Sequence, residues 1–290
     1  MMTDVTTPAT GPAGAESPAD PADLLARPPV LPGLTPEAVV FITGGSGAIG
    51  LRAAAVLSRI GARVAIMARS PERVAQAAAD AAHEGQVLGV AGDIGVPDDI
   101  SRAVTATVGT FGRLDALVNL AAVGDSGGAL DDLTVDEIDT VLRTNLRGAL
   151  LLAQACARPM RARGGSIINV ASIGGHRVTP GRLVYGPSKA ALIYLTRQLA
   201  SELGPYGIRA NSISPGQTPT ALRKFSDPAG GDNAASAGRP DRPTKTGRIP
   251  LGRRGTLDDY VGAILFLISG LSAYVTGTDL LVDGGAAIVR

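Results

Sequence analysis

The chain has 290 residues, 45% of them hydrophobic, so it can bury one large core or two modest ones without disulfides or metal ions. Its formal net charge is +1 and its basic residues are spread out, which favours a small-molecule ligand over nucleic acid or a membrane surface. One cysteine, Cys156, and two histidines exclude a disulfide framework and a Cys/His metal cluster. We therefore expect a cytoplasmic protein without a metal, a nucleic-acid partner or a membrane partner.

Residues 1–37 differ in composition from the rest of the chain. They are rich in Pro, Ala, Thr and Gly, show no periodic apolar face, and lack the pattern of a secretory signal or a mitochondrial presequence. We expect a flexible tail that could dock on the body near residues 31–34. The longest apolar run, residues 260–270, is much shorter than a bilayer-spanning helix, so a soluble protein is expected.

From Ala38 onward, short β-branched runs alternate with longer helical segments. Strands are predicted at residues 38–45, 63–69, 87–94, 115–123, 166–172, 208–216 and 279–284, and helices at 49–62, 70–85, 98–109, 134–164, 187–204 and 257–269. Strands that are apolar throughout and separated by helices predict a parallel sheet covered on both faces. The fold class is therefore α/β, with one doubly wound parallel-sheet Rossmann domain over residues 38–290. Residues 225–247 are polar and rich in Gly and Pro, and we assign 221–250 to a long substrate loop.

The stretch TGGSGAIG, residues 43–50, follows the first strand and opens the first helix. Its glycines would give a tight turn, a close backbone approach to a pyrophosphate and an open helix N-terminus that favours negative charge. At the first strand-to-helix turn of a βαβ unit, this pattern predicts a nucleotide site. The candidate contacts in it are Thr43, Gly44, Ser46, Gly47, Ile49 and Gly50.

This motif resembles the TGxxxGxG motif of the short-chain dehydrogenase/reductase family, and the resemblance covers residues 38–290 apart from much of the 225–247 loop. Within the segment NLAAVG, Leu120 and Ala122 depart from the family's usual NNAG. The family's adenine-contacting acid and the matching NNAG positions imply further cofactor contacts at Asp93, Ile94, Asn119 and Ala121.

The end of the second strand predicts the preferred cofactor. NAD-binding folds of this type place a carboxylate there for the ribose 2′-hydroxyl, whereas a 2′-phosphate needs a cation and no acid. Here the acid position is Ala68 and Arg69 follows it. We expect NADP(H), with NAD(H) less preferred, although Arg69 could also be an ordinary solvated charge.

Tyr185 and Lys189 in the stretch VYGPSK have the spacing that puts two side chains on one helical face. Pro187 has no amide hydrogen, so the helix should begin close to Tyr185. A nearby cation would stabilise a phenolate and lower the tyrosine pKa. The family resemblance adds Ser172, which would bind the carbonyl oxygen, and Asn145, which would hold a water in a proton relay. The resemblance also implies that Tyr185 is the general acid or base and that Lys189 holds the nicotinamide ribose hydroxyls.

The segment SPGQTPT resembles the family's PGxVxT segment, which closes over the nicotinamide, and Thr218 departs from its branched apolar position. Ordinary ST-turn chemistry is the alternative for its threonines. The implied contacts are Pro215, Gly216, Thr218 and Thr220. Residues 248–255 and 274–285 resemble the family's C-terminal third and imply subunit contacts, so a homotetramer or homodimer is expected.

These features lead us to expect an NADPH-dependent ketone reductase or secondary-alcohol dehydrogenase that acts on a small carbonyl or alcohol. Two alternatives stay open on the sequence alone. One is a redeployed member of the fold that works as an isomerase, dehydratase or ring-forming enzyme. The other is a non-catalytic NADP-binding protein, against which the intact Asn–Ser–Tyr–Lys set argues.

Overall fold

A computed structural model describes residues 31–84, 86–218 and 249–289. Within these ranges a parallel sheet has the strand order β3-β2-β1-β4-β5-β6-β7, which confirms the predicted doubly wound fold. The strands are β1 (Val39–Thr43), β2 (Arg63–Ala68), β3 (Val87–Ala91), β4 (Ala116–Asn119), β5 (Gly165–Val170), β6 (Ile208–Pro215) and β7 (Asp279–Val282).

The helices cover both faces of this sheet. They are α1 (Ala48–Arg59), α2 (Pro71–Ala81), α3 (Pro97–Phe111), α4 (Val135–Leu142), α5 (Ala149–Met160), α6 (Tyr185–Leu203) and α7 (Leu257–Ile268). Side chains of β1 alternate between the two layers: Val40 and Ile42 pack with α1, α2 and α7, whereas Val39 and Phe41 pack with α3, α5 and α6. Burial on both faces explains why the central strands are apolar throughout.

The predicted helix over residues 134–164 contains a wider turn. A π-helical segment, Arg143–Gly148, separates α4 from α5 and includes Asn145. A methyl group on Gly148 would lie 2.6 Å from the carbonyl oxygen of Ile94, so the helix passes the end of β3 at close range. π-Turns inside helices occur frequently at functional sites.

Residues that precede β1 pack on the body of the domain. Leu34 is 7% exposed and belongs to the core that α1, α2 and α7 cover, and Leu31 packs against that core. The Gly270 amide, just beyond α7, donates to the Pro32 carbonyl over 2.5 Å. Residues 1–30 of the predicted tail lie outside the described residues. In the described part of the chain no helix combines the length and apolarity needed to cross a membrane.

The strand order reverses between β1 and β4. In doubly wound sheets ligands bind beyond the carboxyl ends of the strands at this switch point. The ends of β1, β4 and β5 and the beginnings of α1 and α6 lie along that edge, and they carry most of the predicted site residues.

Candidate active site

The loop between β1 and α1 has little room for side chains. Gly44 has a φ of +68°, and a methyl group on Gly50 would lie 2.5 Å from the Gly44 carbonyl oxygen. Gly47 is the N-cap of α1 and provides no side-chain hydrogen bond, so the first amides of the helix stay open to a ligand. A backbone cradle at a helix N-terminus fits a pyrophosphate group.

Thr43 and Asn119 form part of a buried polar chain across the sheet. The Thr43 hydroxyl donates to Asn119 Oδ1 at 2.8 Å, and Asn119 Nδ2 donates to Asn169 Oδ1 at 3.2 Å. Asn169 Nδ2 in turn donates to the Thr196 hydroxyl on α6 at 3.0 Å. These side-chain hydrogen bonds join the carboxyl ends of β1, β4 and β5 to one another. The Ala121 amide donates to the same Thr43 hydroxyl over 3.4 Å.

The remaining predicted adenosine contacts lie beyond β2 and β3. Arg69 is exposed directly after β2, and no acid precedes it because the last strand residue is Ala68. Asp93 uses Oδ1 to accept the Gly95 amide at 2.7 Å, and Ile94 is 4% exposed. Ser46 is half-buried in the glycine loop, and Ile49 packs against the core from the first turn of α1.

In the segment after β6, the Thr218 hydroxyl donates to the Gly216 carbonyl at 3.2 Å. Gly216 packs tightly, since a methyl group there would lie 2.8 Å from the Asp283 Cα. Pro215 ends the strand and is buried. Thr220 and residues 221–248 of the predicted substrate loop lie outside the described residues.

Ser172, Tyr185 and Lys189 meet where β5 ends and α6 begins. As the position of Pro187 predicts, α6 starts at Tyr185. Lys189 Nζ donates to the Val170 carbonyl at 2.7 Å and lies 5.7 Å from the centroid of the Tyr185 ring. The Ser172 hydroxyl accepts the Gly174 amide at 3.0 Å and acts on Tyr185 as a hydrogen-bonding neighbour. The predicted trio is therefore assembled.

Burial and nearby charged groups change the pKa of Tyr185 and of Lys189. Burial raises the pKa of Tyr185, while its hydrogen bond with Ser172 and the charge of Arg182 act to lower it. Burial also lowers the pKa of Lys189 to about 7, so this amine is only partly charged near neutral pH. Arg182 is thus a cation beside Tyr185 that opposes the effect of burial on the pKa of its phenol.

Asn145 lies in the π-segment with its side chain fully engaged and 1% exposed. Its Nδ2 donates to the Val123 carbonyl at 2.8 Å and to the Ser188 hydroxyl at 3.0 Å, and its Oδ1 accepts the Val123 amide at 2.8 Å. Asn145 therefore joins the loop after β4 to the first turn of α6. Its role in holding a water stays a prediction.

Two groups beside Tyr185 were not predicted from the sequence as parts of its site. The Asp125 carboxylate accepts the amide of Tyr185, and Arg182 contacts both the carboxylate and the tyrosine ring. His176, between Ser172 and Tyr185 in the sequence, contacts Asp279 on β7, with Nε2 and Oδ2 2.7 Å apart. No local motif signals these contacts, since they join residues about 60 to 100 positions apart.

Comparisons with known proteins agree with this geometry. Residues 45–287 match a family described as enoyl-(acyl carrier protein) reductase. The chain is 38% identical to an L-rhamnose 1-dehydrogenase (NAD(P)+) of Azotobacter vinelandii, over 86% of this chain and 96% of that protein. It is 36% identical to a peroxisomal 2,4-dienoyl-CoA reductase of Danio rerio, over 88% of this chain and 83% of the other.

Among solved structures, a short-chain type dehydrogenase/reductase from Mycobacterium marinum superposes with a TM-score of 0.77. It is 34% identical, and the match covers 88% of this chain and 96% of that one. A Rossmann-type sheet with a glycine cradle at its switch point is typical of dinucleotide-binding proteins. This chain belongs to the short-chain dehydrogenase/reductase family of nicotinamide-dependent oxidoreductases.

Proposed function

We propose that the protein is an NADP(H)-dependent ketone reductase, or the corresponding secondary-alcohol dehydrogenase, with Tyr185 as general acid or base. The observation that carries the proposal is the meeting of Ser172, Tyr185 and Lys189 on the sheet edge that also holds the glycine cradle. The cradle of Gly44, Gly47 and Gly50 would hold the pyrophosphate. The bound nicotinamide supplies the hydride that reduces the carbonyl carbon.

The protein's own side chains bind the substrate oxygen and supply the proton. Ser172 donates a hydrogen bond to the substrate oxygen, and the Tyr185 hydroxyl gives it the proton that completes the alcohol. Burial of Tyr185 raises its pKa, so it keeps its proton at neutral pH and is suited to act as the acid in reduction. In the oxidative direction the phenolate must form, and Arg182 favours that form.

Loss of NADPH absorbance with a panel of ketones tests the proposal. Tyr185→Phe should lower kcat by about 100-fold or more, because general-acid catalysis contributes on that order, while NADPH binding measured by fluorescence stays unchanged. Tyr206→Phe, in the exposed turn directly after the same helix, is the matched control and should keep full activity. A Tyr185→Phe variant with most of its turnover would overturn the role. Product formed without net NADPH loss would indicate an isomerase or dehydratase.

The preference for NADP(H) rests on exposed Arg69 and on the absence of an acid at the end of β2. A guanidinium bound to a 2′-phosphate is a charge-assisted contact. Arg69→Ala should therefore lower the ratio of kcat/KM for NADPH over NADH by about 10- to 100-fold, since such a bond contributes roughly 1.5–3 kcal/mol. Arg59→Ala, an exposed change near the other end of α1, is the control. An unchanged ratio in Arg69→Ala would contradict the assignment.

For the substrate we propose a small secondary alcohol or ketone. The similarity to an L-rhamnose 1-dehydrogenase supports polyhydroxylated compounds as the first part of the panel. The similarity to a dienoyl-CoA reductase supports including an unsaturated thioester. Turnover with the thioester alone would move the proposal from carbonyl reduction to reduction of a C=C bond.

We also propose a homotetramer or homodimer. Support comes from apolar side chains left exposed on the long helices, Leu150 on α5 (46%) and Tyr194 on α6 (60%). Light scattering at micromolar concentration should give a mass of two or four chains. Leu150→Glu should lower that mass, whereas Leu130→Glu, an exposed change in the loop after β4, should leave it unchanged. A wild-type monomer would contradict the proposal.

A further inference from the structure

The loop after β4 reaches across to the start of α6 through one buried carboxylate. Asp125 has a side chain that is 3% exposed, and its Oδ2 accepts the amides of Val184 at 2.9 Å and Tyr185 at 3.2 Å. These contacts bridge about 60 residues of sequence. A buried ionised group is tolerated only where it is paired and hydrogen-bonded, as it is here.

The carboxylate takes the place of a local helix cap. Val184 is the N-cap of α6 and makes no side-chain hydrogen bond, so the first amides of the helix need an outside acceptor. A negative charge at a helix N-terminus is also favoured by the helix dipole. Because Tyr185 is the first residue of α6, the acceptor that caps the helix also fixes the backbone that carries the phenol.

Arg182 contacts both Asp125 and the ring of Tyr185. Its Nη1 lies 3.3 Å from Asp125 Oδ1 and 3.2 Å from the Asp125 carbonyl oxygen. Its Cζ lies 5.8 Å from the centroid of the Tyr185 ring, within the range of a cation–π contact. Gly127 and Gly181, both with positive φ, face each other where the two loops meet, and a methyl group on Gly127 would lie at an ordinary contact distance of 3.6 Å from the Gly181 carbonyl oxygen.

We propose that Asp125 and Arg182 form a positioning pair that fixes Tyr185 at the start of α6 and sets the charge around its hydroxyl. The proposal rests on the proposed role of Tyr185 as the acid or base. Neither residue is needed to touch the substrate, and both act through the tyrosine.

The two members of the pair act on the phenol with opposite signs. Arg182 lowers the pKa of Tyr185 and Asp125 raises it, in addition to the larger effect of burial and the opposing hydrogen bond from Ser172. Lys189, whose Nζ lies 5.7 Å from the ring centroid, is the other ionisable group that faces the tyrosine in the described part of the chain. Removing one member of the pair should therefore shift the titration of Tyr185 in the direction opposite to removing the other.

A spectroscopic titration tests this without turnover. Phenolate absorbance is recorded against pH for the ligand-free full chain, and the same curve for each protein carrying Tyr185→Phe is subtracted to isolate Tyr185. Arg182→Met should move this titration to higher pH, and Asp125→Asn should move it to lower pH. Asp131→Asn, an exposed acid on the same loop, is the matched control and should leave it in place. Shifts in the same direction, or none, would overturn the proposal.

Steady-state kinetics provide the second measurement. Asp125→Asn and Arg182→Met should each lower kcat by about 10-fold or more with little change in KM for NADPH, because a small misplacement of an acid costs rate rather than cofactor affinity. The pH profile of kcat should follow the spectroscopic shift. If Asp125→Asn does not fold, Arg182→Met decides alone, and an unchanged titration and kcat in that variant overturn the pairing. Opposite titration shifts in a protein without reductase turnover would support the pair and contradict the proposed function.

Discussion

The buried amine of Lys189 is a costly feature that only function explains. Its side chain is almost completely buried, and Nζ donates to the Val170 carbonyl at 2.7 Å. Burial lowers its pKa from the ordinary 10.5 to about 7. The unfolded chain therefore binds a proton that the folded chain lacks between these two pH values, so this group makes stability rise with pH across that window. Below pH 7 the full cost of burying the charge is present.

Lys189→Met should stabilise the protein while it removes activity. At roughly 1.4 kcal/mol for each pH unit between the two pKa values, the cost is about 5 kcal/mol, and loss of the hydrogen bond to Val170 leaves an expected gain of about 2–4 kcal/mol at pH 6. The gain should decline toward pH 10. Urea unfolding at pH 6, 8 and 10 measures it, with exposed Arg197→Met on the same helix as control. A variant less stable than wild type at pH 6 would refute this account.

For individual residues, the sequence predicts contacts between close neighbours but does not predict contacts between distant loops. Tyr185 and Lys189 follow from helical spacing and from Pro187, and Ser172 follows from a motif. Asp125 carries no such signal, since its partners lie about 60 residues away and become neighbours only when β4 and α6 meet. The effect of Arg182 on the pKa of Tyr185 likewise depends on contacts that form only in the folded chain.

At the scale of elements, two glycines offer a matched comparison. Gly50, in the first turn of α1, approaches the Gly44 carbonyl so closely that a methyl group would lie 2.5 Å from it. Gly109, in α3, has open space around the same position. Gly50→Ala should displace the cofactor loop, weaken NADPH binding by about 10-fold or more and lower stability by about 1–3 kcal/mol, the usual cost of overpacking.

Gly109→Ala should have the opposite effect on stability. Alanine in a helix is favoured over glycine by about 1 kcal/mol, and nothing there opposes it. Thermal unfolding and fluorescence titration with NADPH measure both variants. Equal binding of NADPH by wild type and Gly50→Ala would contradict the placement of the pyrophosphate at this loop.

The sequence predicts which segments are helices and which are strands, but it does not predict the π-turn inside one of the helices. Apolar runs that alternate with longer helical segments define the strands and helices, and Ser70 caps α2 by accepting the Arg73 amide. The π-turn at Arg143–Gly148 lies inside the helix predicted over residues 134–164. Its cause is tertiary: Asn145 satisfies Val123 and Ser188 on neighbouring segments, which helical periodicity does not encode.

For the whole molecule, periodicity predicts a parallel α/β sheet but not the order of its strands. The order depends on which hydrophobic faces meet, and here it also aligns Thr43, Asn119 and Asn169 as direct neighbours in register. Their hydrogen-bonded side chains lie at the carboxyl ends of the strands, where the site forms.

The position where the packed domain begins gives the last prediction. Leu34 is buried against the core, and the Gly270 amide uses the Pro32 carbonyl as its acceptor, so the fold extends before Ala38. Removing residues 1–36 should lower the free energy of unfolding by about 2–4 kcal/mol, because a buried leucine contributes about 1.5–3 kcal/mol and the Gly270 amide also loses its partner.

Removing residues 1–30 should leave that free energy unchanged, since the contacts of Leu34 and Pro32 are kept. Leu34→Ala in the full chain should account for most of the difference between the two truncations, as a large-to-small change in a core costs about 2–5 kcal/mol. Urea unfolding of the four proteins under one buffer measures this. Equal destabilisation by the two truncations would contradict this account. The stabilising contacts would then lie before Leu31, and packing of Leu34 against α1 and α7 would not be what stabilises the start of the domain.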